Sequence, residues 1–298
     1  AFCKSDITYF QPDIIVFIDY SGFNLRIAKW AKKKGIRTNY YISPQLWASR
    51  EGRIEKIKRD VDAMHVILPF EEEFYKKHNY PVNFVGHPLI DAISNRAELN
   101  EELFRRNHQL DAEKPIIAIL PGSRKQEVQK MLPVMLSLTS RFPNHEFVIA
   151  GAPSFDKEFY TPYVSDKNVK LIPNKTYDLL SIATAALVTS GTATLETALF
   201  KGPQVVCYKA NWISYQIAKR IITLEYISLV NLIMKKEVVT ELIQNNFTQK
   251  KLKTAMEAIL LGPARTEQIL NYDALIKKLG GTGASAKAAV HIYQNSIK

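Results

Sequence analysis

The chain predicts an α/β protein built from two Rossmann-like domains that face a cleft. Three observations carry this expectation. Short apolar runs alternate with helical patterns from end to end of the 298 residues, which is the signature of parallel sheets covered by helices. The polar stretch from Asp91 to Asn107 carries no buried strand and divides the apolar runs into two sets. Two runs, one in each half of the second set, end in glycine-containing turns that open helices, and ligands of such sheets gather at the carboxyl ends of strands.

Taken in order, a short helical or irregular lead precedes a first strand at 14–18, Ile-Ile-Val-Phe-Ile, apolar throughout and rich in β-branched residues. Further strands are expected at 39–42, 64–68 and 83–85, with helices near 24–33, 53–58 and 71–77. After the polar stretch come strands at 116–120, 146–149, 170–172, 185–189 and 205–208, and helices near 127–140, 177–183, 194–201 and 213–222. Beyond Glu237 the pattern is helical, with helices at 249–261 and 264–279 broken at Gly262-Pro263 and a last helix at 284–295 after the glycine-rich hinge 280–283. The expected division is an N-terminal domain at 1–106, a C-terminal domain at 107–280, and a terminal helix at 281–298 that packs back on the first domain.

Composition narrows the function. With 46% hydrophobic and 23% charged residues the chain is globular, and no apolar run approaches the ~20 residues of a membrane span. No cleavable signal peptide is visible, and Cys3 and Cys207 form neither a disulfide framework nor a metal-ligand cluster, so a reducing cytoplasm is expected. The start at Ala1 rather than Met suggests a fragment or a processed chain. The net charge of +11 has a local origin: Lys29, Lys32, Lys33, Lys34 and Arg37, then Arg50, Arg53, Lys56, Lys58 and Arg59, lie in segments poor in acids. These are either solvated helix faces or a surface for an anionic partner. Zinc-finger spacing, RNA-binding strand signatures and recognition-helix motifs are absent, so nucleic acid is the weaker partner.

Leu120-Pro121-Gly122-Ser123-Arg124 is the first of the two junctions. A strand that breaks at Pro-Gly and restarts as a helix leaves backbone N–H groups aimed at one spot, and the helix dipole favours an anion there. Arg124 adds a fork-shaped cation suited to phosphate. The plainer reading is a capping box of Ser123 and Gln126. At the second junction Ser190-Gly191-Thr192-Ala193 opens a helix, with Glu196 one turn in. That carboxylate either offsets the dipole or accepts the hydroxyls of a ribose. Two anion-facing turns in one domain point to a nucleoside diphosphate.

Other candidates sit at strand ends. Asp19 closes the first strand ahead of Tyr20-Ser21-Gly22-Phe23-Asn24, and is either a turn-forming carboxylate or a general base desolvated by a cleft. Ser43 and Trp47 lie in a second strand-end loop, where the indole lines a cleft or closes the core. His87, after Gly86, is either catalytic or structural, whereas His65 reads as an interior residue. The segment from Asn211 to Ile222, with Lys219 and Arg220, is amphipathic and suits internal packing or a membrane surface. Asn231 falls among apolar neighbours and needs hydrogen-bond partners, which a uracil or phosphate edge would supply.

These residues resemble the lipid-A-disaccharide synthase family from about Pro12 to the C-terminus. The resemblance is carried in order by Val16-Phe17-Ile18-Asp19-Tyr20 with Phe23-Asn24, Tyr41-Ile42-Ser43-Pro44 with Trp47-Ala48, and Leu68-Pro69-Phe70-Glu71. It continues through Phe84-Val85-Gly86-His87-Pro88, Leu120 to Arg124, Ser190 to Ala193 with Leu195-Glu196, and Tyr226 to Leu229 with Asn231-Leu232. It implies the two-domain GT-B fold and a peripheral enzyme of the cytoplasmic face of the bacterial inner membrane. The implied reaction joins UDP-2,3-diacylglucosamine to 2,3-diacylglucosamine 1-phosphate, forms a β-1,6 disaccharide, releases UDP and requires no metal or cofactor. On the same basis Asp19 and Arg124 are the essential pair. Ser123, Gly191, Thr192, Ala193, Glu196 and Asn231 are assigned to the UDP site, and Asn24, Ser43, Trp47 and His87 to the acceptor side or cleft. The family's opening strand and its Gly-Glu-Thr-Ser-Gly-Asp loop have no counterpart, so the N-terminal domain is expected to be present in part. The alternatives are another GT-B enzyme of UDP-sugars, such as an epimerase or glycan-assembly transferase, a basic membrane- or nucleic-acid-binding protein, and a UDP-binding fragment without activity.

Overall fold

A computed structural model of the protein describes residues 2–49, 51–164, 169–211 and 225–297. The expected helix at 213–222, with Lys219 and Arg220, lies outside the described residues, as does Arg50. The chain divides into two compact units, a first made of Ala1–Asn95 and Ile276–Lys298 and a second made of the chain between them.

The first unit holds a parallel sheet in the order β1-β2-β3-β4, with β1 Ile14–Ile18, β2 Arg37–Tyr41, β3 Ala63–Val66 and β4 Asn83–Phe84. In register, Ile18 stands opposite Tyr41, and Tyr41 opposite His65. Helix α1 (Phe2–Phe10) forms the lead, and α2 (Ser21–Lys33), the short α3 (Leu46–Ser49), α4 (Ile54–Asp60) and α5 (Pro69–Lys77) connect the strands. The core gathers Phe17, Tyr40, Ile57, Met64 and Tyr75. The expected strand at 39–42 ends one residue early, because Ile42 turns to a φ of 62°.

The polar stretch between the strand sets is helical, with α6 (Pro88–Ser94) and α7 (Glu101–Asn107). Pro88 pre-sets the first turn of α6, and Asn100 caps α7 by accepting the Leu103 N–H at 2.9 Å.

The second unit is a larger parallel sheet in the order β10-β9-β8-β5-β6-β7. Its strands are β5 Ile116–Leu120, β6 Glu146–Gly151, β7 Val169–Pro173, β8 Ala185–Thr189, β9 Gln204–Tyr208 and β10 Thr240–Ile243. Strand β10 corrects the expectation of an all-helical chain after Glu237. It is a four-residue edge strand, paired in parallel with β9, and its two leading polar residues, Thr240 and Glu241, hide it in sequence. All residues of β5, β6 and β8 are buried, as both faces of a covered parallel sheet require. On one face Ile117 and Ile119 pack with α8 (Lys125–Leu136) and with the later helix Gln249–Leu261. On the other, Ile116, Ala118 and Leu120 meet Phe104 of α7 and Leu179 of the helix Thr176–Ile182.

The order of this sheet reverses at the β5–β8 pair, since β6 and β7 lie beyond β5 while β9 and β10 lie beyond β8. Such a switch point opens a crevice at the carboxyl ends of the two strands. Both glycine turns occur there, one after Leu120 and the other after Thr189. The remaining helices of the unit are α9 (Lys157–Val164), α10 (Thr176–Ile182), α11 (Thr192–Leu199), α12 (Leu229–Met234), α13 (Gln249–Leu261) and α14 (Pro263–Lys278).

The last helix, α15 (Ala284–Ser296), belongs to the first unit and contacts α6 and β2. Asp91 fixes its start by accepting the N–H groups of Gly283 and Ser285, and these bonds hold its carboxyl below the usual carboxylate range. Gly86 and Gly280 touch backbone to backbone, and a Cβ on Gly86 would stand 3.1 Å from the Leu279 carbonyl oxygen. Glycine is required there.

Candidate active site

The crevice of the second unit is a cavity of about 360 Å³. Its walls bring together Ser123 of the first turn, Gly191, Thr192 and Ala193 of the second, and Glu196 one turn into α11. Gly122 has a φ of 105°, and a Cβ there would fall 2.7 Å from Glu127 Oε2. Gly191 has a φ of 147°, another conformation that side chains avoid, and its carbonyl accepts the Thr194 hydroxyl at 2.8 Å. The cavity is therefore bounded by backbone that only glycine can supply at two points.

The first turn is capped differently from the expected Ser123–Gln126 box. Arg124 is the N-cap, and Glu127 reaches back to accept the Arg124 N–H at 3.3 Å. The Arg124 guanidinium is exposed and pairs with Glu127 Oε1 at 3.1 Å. An exposed pair three residues apart contributes about 0–1 kcal/mol, so this arginine is only weakly held.

Glu196 is partly buried, which raises its carboxyl above the ordinary range. The Tyr177 hydroxyl, donating to Oε1 at 3.0 Å, opposes that shift. Burial and the neighbouring carboxylate push Tyr177 up to about 12, so it remains a donor at neutral pH. Arg96 lies over the rings of Tyr177 and Phe200, 5.6 and 5.4 Å from their centroids, and also bonds Asp178 on α10. Sequence reasoning missed Tyr177 and Thr189. The Thr189 hydroxyl is buried without a partner on the cavity wall, and its only local signal was a polar residue closing an apolar strand.

Asn231 departs from expectation. Its amide donates to the Val239 carbonyl at 2.8 Å and to Glu241 Oε1 at 2.9 Å, and its oxygen accepts the N–H groups of Val238 and Val239 at 2.8 and 3.0 Å. The partners expected from a uracil or phosphate edge come from the chain itself, and the side chain is fully buried. Its reach to the cavity is indirect. Glu241 also accepts the N–H groups of Ile227 and Ser228 at 2.9 Å each, and the Ile227 carbonyl accepts the Ser190 hydroxyl at 2.9 Å. Asn231 and Glu241 thus brace the second turn from behind.

In the first unit Asp19 directly follows β1 with its side chain exposed. Asp19 and Tyr20 both adopt left-handed backbone, φ 46° and 35°. Two such residues in a row store strain that neighbours must hold. The Tyr40 hydroxyl donates to the Asp19 carbonyl, and the Asn24 amide donates to the carbonyls of Ile18 and Asp19 at 3.0 and 2.9 Å. Asn24 is committed to shaping the Asp19 turn.

Ser43 is buried, 2.7 Å from the Tyr75 hydroxyl, and Trp47 packs edge-on against Phe70 with ring centroids 4.8 Å apart. Ser43 lies inside the first unit, whereas Trp47 is half-buried and outside its core cluster. Behind them lies Glu71, a buried carboxylate that accepts the N–H groups of Ile67 and Leu68 at 3.2 and 2.9 Å and is pushed by burial up to about 7. His87 stands apart as the N-cap of α6. Its Nδ1 accepts the Leu89 N–H at 3.2 Å, and burial holds its pKa down at about 4, so it is a neutral structural residue at pH 7.

Among the described residues no helix is long and apolar enough to cross a membrane, and no group of three or more His, Cys, Asp or Glu is placed to hold a metal.

Comparison with known proteins places this geometry in a family. The chain resembles the solved UDP-GlcNAc 2-epimerase of Neisseria meningitidis bound to UDP-GlcNAc at a TM-score of 0.70 and 14% identity, covering 98% of this chain and 79% of the other. A glycotransferase of kitacinnamycin matches at a TM-score of 0.62 and 14% identity over 97% and 78% of the two chains. These likenesses show the GT-B type of fold. Sequence relatives are nearer. Lipid-A-disaccharide synthases of Syntrophus aciditrophicus and Coxiella burnetii are 41% and 39% identical over 295 and 290 residues. Each match covers 96% of this chain and 76% of the relative, so the chain spans about three quarters of their length. A family model described as lipid-A-disaccharide synthetase matches residues 3–292, and the chain belongs to that family of glycosyltransferases.

Proposed function

We propose that the chain transfers 2,3-diacylglucosamine from its UDP derivative to the 6-hydroxyl of 2,3-diacylglucosamine 1-phosphate, giving the β-1,6 disaccharide 1-phosphate and UDP. The observation that carries this reading is the meeting of two glycine turns and Glu196 at the switch point of the second unit. Glu196 accepts the ribose hydroxyls, and the backbone N–H groups at Ser123 and at Gly191-Thr192-Ala193 face the diphosphate. Asn231 holds the second turn in place through Glu241.

The reaction is a single inverting displacement. Asp19 takes the proton of the acceptor hydroxyl as its oxygen attacks the anomeric carbon from the face opposite UDP. Negative charge then grows on the β-phosphate as the glycosidic bond breaks. Arg124 leaves its weak pair with Glu127 and neutralises that charge together with the two turns. Asn24 holds the turn that presents Asp19.

The site of action in this reading is the anionic inner face of the bacterial inner membrane. The basic character of the chain, with a net charge of +11, supports it.

The test is UDP release from the acylated donor with and without the acylated acceptor, alongside calorimetry with UDP. Acceptor-dependent release that survives EDTA supports the reading. Acceptor-independent turnover of UDP-GlcNAc would identify an epimerase-like enzyme, and UDP binding without release would leave a nucleotide-binding protein.

A further inference from the structure

We propose that a cationic groove between α2 and α4 binds the phosphate monoester of the acceptor sugar, a site that rests on the acceptor reading above. The groove encloses about 400 Å³ and lies wholly within the first unit. Arg26 and Lys29 face it from α2, while Arg53, Lys56 and Arg59 face it from α4 and the turn before it. Three-residue spacing puts each set on one side of its element. Two rows of like charge therefore confront each other across one depression.

One acid of the same segments, Asp60, also lines the groove and offsets Arg59, while the others are not among its walls. Glu51 pairs with His78 and Glu55 with Lys58, while buried Asp60 is held by Arg59. Among the described residues Arg26, Lys29, Arg53 and Lys56 have no ion-pair partner, and the Arg26 Nε–H is spent on the Gly22 carbonyl at 2.9 Å. The end wall of the groove is Ser21 and Gly22, the first residues of the 13-residue α2. That helix has no acidic residue in its first turn and no side-chain cap, so no group within the helix offsets its positive end.

The ligand class follows from charge and position. A phosphate monoester carries about −1.5 to −2 at neutral pH and three acceptor oxygens, which suits convergent arginine and lysine donors better than a singly charged diester does. Ser21 follows Asp19 by two residues, so the end wall adjoins the turn that presents the proposed base. An acceptor anchored in the groove by its 1-phosphate has its sugar ring beside that turn.

The experiment compares binding of 2,3-diacylglucosamine 1-phosphate with binding of the same sugar lacking phosphate, both in neutral-detergent micelles. The parent protein is expected to prefer the phosphorylated sugar by about tenfold or more. Arg53→Gln/Lys56→Gln should bring that preference to within about twofold while leaving UDP affinity unchanged. Lys29→Gln/Lys56→Gln should act in the same direction and replaces it should the first variant fold poorly. A parent without preference, or a folded variant that keeps it, overturns the proposal. So does a variant that loses binding to phosphatidylglycerol vesicles, relative to phosphatidylcholine, while keeping the micelle preference, since the groove would then serve lipid headgroups. UDP release by the parent is measured separately. Its absence with the phosphate preference intact removes the transferase reading and leaves the groove assignment standing.

Discussion

The Asn231 amide donates to Glu241 Oε1 at 2.9 Å, and the same carboxylate holds the backbone N–H groups of Ile227 and Ser228. This pair of buried Asn231 and half-buried Glu241 therefore connects α12, β10 and the loop that receives the Ser190 hydroxyl. Asn231→Ala leaves the N–H groups of Val238 and Val239 without an acceptor, at about 1–3 kcal/mol for each buried orphan. Urea unfolding should show a loss of about 3 kcal/mol, with UDP affinity falling in parallel. Asn231→Asp should be worse still at pH 8 than at pH 5, because it sets a second carboxylate against Glu241. A loss below about 0.5 kcal/mol for Asn231→Ala would contradict the bracing role.

Gly122→Ala should weaken UDP binding through backbone strain. The new Cβ would stand 2.7 Å from Glu127 Oε2 at a φ of 105°. Trimming the glutamate in Gly122→Ala/Glu127→Ala removes the Oε2 contact but leaves the Cβ of position 127 at 3.0 Å and the strained φ. Calorimetry should give an affinity loss of about tenfold for the single variant, with only partial recovery in the double.

Tyr177→Phe tests the Glu196 carboxylate as a hydroxyl acceptor. The tyrosine hydroxyl is the bond that opposes the upward shift of Glu196, so its removal raises that pKa further. A protonated Glu196 donates instead of accepting. The pH below which UDP affinity declines should therefore move upward in Tyr177→Phe, and Glu196→Gln should lose the pH dependence altogether. Affinity measured between pH 5 and 8 decides this.

Glu71 gives the first unit its own pH signature. Its folded-state pKa of about 7 lies above the ordinary value of 4.5. The stability linked to its proton is thus full below pH 4.5 and is lost as pH rises through 7, about 3 kcal/mol at most. Glu71→Gln keeps an acceptor for the Leu68 N–H without the titration. Its unfolding free energy relative to the parent should rise between pH 5 and pH 8. His65 and His87, both held down to about pH 4 by burial, work in the opposite direction but are common to the two proteins and cancel in the difference.

Sequence revealed the parts of the fold that are punctuated by local chemistry. Apolar runs closed by Pro-Gly or Ser-Gly placed β5, β8 and both glycine turns, because strand, turn and helix signals adjoin within ten residues. Relationships that span the chain were hidden. Nothing near Asn231 showed that Val239 and Glu241 would saturate its amide, so a ligand was expected to do so. Strand β10 was missed for a related reason, since its Glu241 is polar in order to serve the 227–228 loop. Tyr177 came from a separate helix, and only the folded sheet sets it against Glu196. His87 looked chemical but proved to be a cap, a role written in one hydrogen bond to Leu89.

In the proposed transfer Asp19 is the general base. The direct measurement is UDP release by Asp19→Asn in the presence of acylated donor and acceptor, with UDP affinity determined on the same preparation. Asparagine keeps the backbone carbonyl that Tyr40 and Asn24 bind, so the turn is preserved. Turnover should fall by about 10²–10⁴-fold with UDP affinity unchanged. Near-native turnover by Asp19→Asn would contradict that role.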